Sequence, residues 1–135
     1  MVEGSPWIAI VDDDPSVLKA LTRLLRARAM EARTYVSAKE FLAALPEGLP
    51  RCLIVDLQMP EMNGLELLQH MARTGLRIPS IVITAHADAG TRDRCKSAGA
   101  FAFLAKPLQD AVLFSAIADA TKSVNGAGLN RGNYR

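Results

Sequence analysis

The chain has 135 residues, half of them hydrophobic, and 16 Lys+Arg against 14 Asp+Glu give a formal net charge of +2. That length suits one domain with a single layered core, and so weak a global charge gives no case for nucleic-acid binding. Its apolar runs fall far short of the roughly 18 residues that span a bilayer, and "MVEGSPW" lacks the basic and apolar regions of an export signal, so a cytoplasmic domain without membrane association is expected.

"WIAIV" (7 to 11) reads as a buried strand, and the following segment carries Val17, Leu18, Leu21, Leu24 and Leu25 at helical spacing. Asp14 and Pro15 supply that helix with an N-cap and a first-turn proline, while Lys19, Arg23 and Arg26 take its wet face. "EARTYV" (31 to 36) is a weaker strand, and Ser37 with Glu40 forms a capping box opening a helix that carries Phe41, Leu42 and Leu45. "CLIVD" (52 to 56) is the third strand. The helix from Gly64 to Arg73 is expected to bury Leu65, Leu68 and Ala72, with Asn63 placed to cap it. "IPSIVITA" (78 to 85) is the fourth strand. Asp88 to Ala98 should be a helix with a thin stripe of Ala89, Cys95 and Ala98, ending at Gly99. "AFAFLA" (100 to 105) is the fifth strand, and residues 108 to 122 a last helix burying Val112, Ile117 and Ala120. This divides the chain into an extension (1–6), a domain (7–122) and a polar, glycine-rich tail (123–135) expected to be disordered. Cys52 and Cys95 form no CxxC pair and read as buried or half-buried thiols.

Five strands alternating with five helices, three of the strands unbroken apolar runs, predict an α/β fold: an open, doubly wound parallel sheet covered on both faces. Ligands of such sheets bind outside the carboxyl ends of the strands. Asp12 and Asp13 follow strand 1, Asp56 ends strand 3, Thr84 ends strand 4 and Lys106 follows strand 5, so all five fall at that edge. Asp14 serves as a cap, which leaves Asp12 and Asp13 surplus to capping, and Asp56 lies too far from Gly64 to cap the next helix. Converging carboxylates repel one another unless a cation intervenes, and an oxygen-only cluster suits Mg²⁺. A carboxylate nucleophile, a divalent ion, a lysine and a hydroxyl are the parts of a phosphoryl-transfer site.

"IVDDD", "VDLQMPEMNG", "ITA" and "GAFAFLAKPL", in this order and spacing, resemble the receiver domain of two-component response regulators from about Trp7 to Lys122. The resemblance implies a five-stranded sheet in the order 2-1-3-4-5. It further implies Asp56 as phosphoacceptor, with Asp12, Asp13, Asp56 and the backbone carbonyl of Gln58 holding Mg²⁺, and Lys106 and Thr84 contacting phosphoryl oxygens. Phe103 falls at the position of a switch aromatic that works with Thr84, and the Lys106–Pro107 bond is implied to be cis. A sensor histidine kinase or phosphotransfer protein is the implied donor. The implied output is protein contact, with a downstream protein or in a homodimer, through the fourth helix, fifth strand and last helix. Such a domain is a phosphoacceptor rather than an enzyme, with self-phosphorylation from small phosphodonors and slow autodephosphorylation. No DNA-binding effector is expected in the 13 residues after Lys122, which carry no periodic pattern. The chain departs from the family in lacking a glycine in "RARAMEA" and in carrying Asp93 and Lys96 on the fourth helix. An aspartyl-phosphate phosphohydrolase could use Asp12 and Asp14 as its D-x-D pair, but it needs an acidic pair on a strand end beyond the lysine, and only Asp110 and Asp119 follow.

Overall fold

Strand and helix alternate through residues 6–125, which the computed structural model describes: β1 (Trp7–Val11), α1 (Pro15–Arg26), β2 (Glu31–Tyr35), α2 (Ala38–Ala44), β3 (Cys52–Asp56), α3 (Gly64–Thr74), β4 (Ser80–Thr84), α4 (Ala89–Ser97), β5 (Ala102–Ala105) and α5 (Asp110–Asn125). All neighbouring strands pair in parallel, in the order β2-β1-β3-β4-β5, as expected for the doubly wound sandwich. Alternate residues of one strand feed opposite layers. Trp7, Ala9 and Val11 join Leu53 and Val55 under Phe41, Leu67 and Met71. Ile8 and Ile10 join Ile54 and Ile83 under Leu21, Leu25, Leu113 and Ile117. Both faces of β1 and β3 are therefore dry, which is why their sequences do not alternate.

Side-chain caps fix where the helices start. Asp14 accepts from the Ser16 amide at the head of α1. Asn63 and Glu66 form a reciprocal capping box at α3. At α2 the Ser37 hydroxyl accepts from the Glu40 amide, but the Glu40 carboxylate reaches the Val36 amide, so the box closes one residue early. Three helices end on the same turn, in which an amide beyond the end bonds back five residues: Met30 to Leu25, Leu76 to Met71 and Ala100 to Cys95. That turn needs a positive φ, supplied by Gly75 (78°) and Gly99 (103°), and at α1 by Ala29 (61°). The missing glycine of "RARAMEA" is thus met by an alanine in the left-handed region.

Three predicted stripes are corrected. In α3 the buried residues are Leu67, Leu68 and Met71, with Leu65 half-buried and Ala72 exposed. In α5 Val112 faces solvent at 39% exposure while Leu113, Ala116, Ile117 and Ala120 are buried. In α4 Ala89 is exposed and Thr91 takes its place beside Cys95. Helix α5 also continues past Lys122 to Asn125. The rest of the tail, 126–135, and residues 1–5 lie outside the described residues. No helix among the described residues is long and apolar enough to cross a membrane.

Candidate functional site

The parallel register brings the strand ends level. Asp56 pairs with Ile83 and Thr84 with Ala105, the Asp12 amide donates to the Tyr35 carbonyl, and the Lys106 amide to the Thr84 carbonyl. Asp12 is fully buried, Asp56 is 5% exposed, Thr84 is buried, and Asp13 faces solvent. Carboxylate oxygens of Asp12, Asp13 and Asp56 all lie within 4.8 Å of one another. The Lys106 ammonium sits 3.3 Å from Asp56 Oδ1 and 3.5 Å from Asp12 Oδ2, while Asp12 Oδ1 accepts from the Asp14 amide at 2.9 Å. The Lys106–Pro107 peptide is cis.

Burial, and then the charge of Asp12, push the Asp56 carboxyl above its ordinary range, only partly opposed by Lys106. Burial raises Asp12 as well, against its hydrogen bond from the Asp14 amide and the charge of Lys106. Burial by itself would lower Lys106, but Asp12 and Asp56 together outweigh it and hold the ammonium above its usual value. Three carboxylates facing one lysine leave an excess of negative charge in a half-dry pocket. An oxygen-only donor set of that kind fits a hard divalent cation.

Thr84 turns its hydroxyl toward the β3–α3 loop, where it donates to Gln58 Oε1 at 3.3 Å and accepts from the His86 amide at 3.0 Å. Phe103 is 4% exposed and lies in the α2/α3/α4 layer, with the Arg92 guanidinium 5.9 Å from its ring centroid.

Two contributors escape a reading of the sequence. Gln58 stands there only for its backbone carbonyl, and its side-chain bond to Thr84 spans 26 residues, beyond any local pattern. Gly64 stands only as a helix start, yet a Cβ there would meet the Asp56 carbonyl oxygen at 2.7 Å and the Leu57 Cα at 3.0 Å. The Gly64 amide donates to the Leu57 carbonyl, so α3 is sewn directly onto the backbone that carries Asp56. Glycine at the first helical position, where proline serves better, was the available signal.

A doubly wound parallel sheet in this order, gathering an acidic cluster, a lysine and a threonine at its carboxyl edge, has the architecture of a receiver domain. The family model for the response regulator receiver domain matches residues 8–118, and the chain belongs to that family, whose function in two-component signalling is phosphorylation on an aspartate. It is 38% identical over 120 residues to the transcriptional regulatory protein FixJ of Rhizobium meliloti (strain 1021), covering 89% of this chain and 59% of FixJ. It is 39% identical over 115 residues to the response regulator protein TmoT of Ectopseudomonas mendocina, covering 85% of this chain and 52% of TmoT. Among solved structures, the crystal structure of FixJ-N superposes with a TM-score of 0.82 at 36% identity, covering 96% of this chain and 100% of that one. The chain spans about half the length of the curated relatives it matches.

Proposed function

We propose that Asp56 is the phosphoacceptor, taking its phosphoryl group from a phosphohistidine on a sensor kinase or phosphotransfer protein. One observation carries this: Asp56 is a buried carboxylate at a strand end, in contact with a lysine and crowded by two more carboxylates that no cap or core contact requires. An Asp56 carboxylate oxygen attacks phosphorus. The P–O bond forms as the P–N bond to the donor imidazole breaks, and the imidazole leaves with the electron pair and takes up a proton. The Lys106 ammonium, already beside Asp56, offsets charge on the transferred group's oxygens, and the Thr84 hydroxyl, one residue beyond the Ile83 that pairs with Asp56, donates to one of them on this reading. Asp12, Asp13, Asp56 and the Gln58 backbone carbonyl would hold Mg²⁺. When bound, it neutralises the carboxylate excess and the phosphoryl oxygens.

On this reading the domain is a phosphoacceptor that self-phosphorylates from small acyl phosphates and slowly releases phosphate, working in the cytoplasm where its donor is made. Thr84 and Phe103 carry the switch, and α4, β5 and α5 present the face that meets a downstream protein or a second copy. Mass spectrometry after treatment with a small phosphodonor and Mg²⁺ tests the assignment. The wild type should gain one phosphoryl mass and Asp56→Asn none; an adduct surviving in Asp56→Asn would move the nucleophile to another carboxylate.

A further inference from the structure

We infer that the Gln58 side chain holds the Thr84 hydroxyl in its resting orientation, and so sets how readily the domain switches. The inference rests on the proposed role of Asp56 and adds a positioning residue that acts through Thr84.

A threonine hydroxyl has a single proton and two lone pairs. In this structure the proton goes to Gln58 Oε1 at 3.3 Å and one lone pair takes the His86 amide at 3.0 Å. Thr84 is fully buried, so water cannot substitute freely for either partner. A phosphoryl oxygen arriving at Asp56 needs that same proton, and Thr84 can supply it only by letting go of Gln58. The bond to Gln58 is longer than the usual 2.7 to 2.8 Å or so between oxygens, and a neutral amide is a weaker acceptor than a phosphoryl oxyanion. The latch therefore yields to the charged group while biasing the hydroxyl away from Asp56 without it. The same hydroxyl oxygen accepts from the His86 amide, two residues before the Asp88 cap of α4, which ties the latch to the segment that follows β4.

Gln58 itself is exposed, so it can be altered without opening a core cavity. Beryllofluoride, a phosphoryl mimic, is the probe, titrated in the presence of Mg²⁺. Gln58→Met keeps the side chain's length and removes the acceptor; it should bind beryllofluoride about threefold more tightly, the worth of one modest hydrogen bond, and Gln58→Ala should shift in the same direction. The effect should vanish in a Thr84→Val background and persist in Thr84→Ser, which retains the hydroxyl. An equal gain in Thr84→Val, no gain in the wild-type background, or weaker binding there would each overturn the latch. Binding that survives Asp56→Asn would instead overturn the Asp56 assignment, independently of Gln58.

Discussion

Helices α1 and α4 begin alike and are held very differently. Each follows a strand that delivers a site residue, and each is capped by an aspartate, Asp14 and Asp88. From there α1 buries Leu18, Leu21 and Leu25, while α4 buries only Thr91 and Cys95. Three leucines pin α1 to the sheet behind Asp12 and Asp13, so the carboxylates they follow have a rigid support. Beyond Thr84, α4 has little apolar surface to hold it, so shifting it would cost little.

The most direct attempt to break this contrast is truncation on each side. Leu25 is fully buried, and Leu25→Ala should cost about 2 to 5 kcal/mol in urea unfolding, whereas Cys95→Ala removes one heavy atom and should cost about 1 kcal/mol. Equal costs would mean that α4 is anchored as firmly as α1.

A smaller effect lies at the helix ends. Ala29 sits at φ 61° where α4 has Gly99 at φ 103°. Ala29→Gly should raise stability by about 0.5 to 1 kcal/mol, the relief of left-handed strain less the added freedom of the unfolded chain. Gly99→Ala should lose about 1 kcal/mol or more although a Cβ there would touch nothing within 4 Å. Thermal unfolding of both variants reads the two signs, and a gain from Gly99→Ala would deny that α4 needs its glycine.

The subtlest test is acid. Hydrogen bonds from the Thr91 amide and hydroxyl hold Asp88 below its ordinary value, and those from the Ser16 hydroxyl and amide do the same for Asp14. A carboxylate whose pKa is depressed by folding stabilises the fold above its unfolded pKa, and that contribution fades as pH falls through the folded value. Both caps therefore weaken below about pH 4, but only α1 has leucines in reserve. Amide exchange should show α4 losing protection first, and simultaneous loss would remove the distinction.

The same contrast explains what could be read from the sequence. Strands β1, β3 and β4, the Asp14–Pro15 start and the gathering of Asp12, Asp56, Thr84 and Lys106 at one edge were all legible, because burial on both faces and cap chemistry leave local marks. The phase of α3 was not: Leu65, Leu68 and Ala72 and also Leu67, Leu68 and Met71 fit helical spacing, and the structure buries the second set. In α5 the run "AVLFSAI" is apolar nearly all round, so periodicity could not choose Leu113 over Val112. Thr91 did not enter the predicted stripe of α4, and its hydroxyl is satisfied at the buried position by Asp88 Oδ2 and Arg94. The Gln58–Thr84 bond had no local mark at all.

Burial of both cysteines has a practical consequence. Cys52 opens β3 with its thiol pushed up to about 12 by burial, and Cys95 lies on the buried face of α4, raised for the same reason. Neither is a ready thiolate in the folded domain, so oxidants and alkylating reagents must wait for an opening. Because one thiol lies in a central strand and the other on the buried face of the loosely held helix, the chain carries two native chemical clocks, one timed by the sheet coming apart and the other by α4 lifting away.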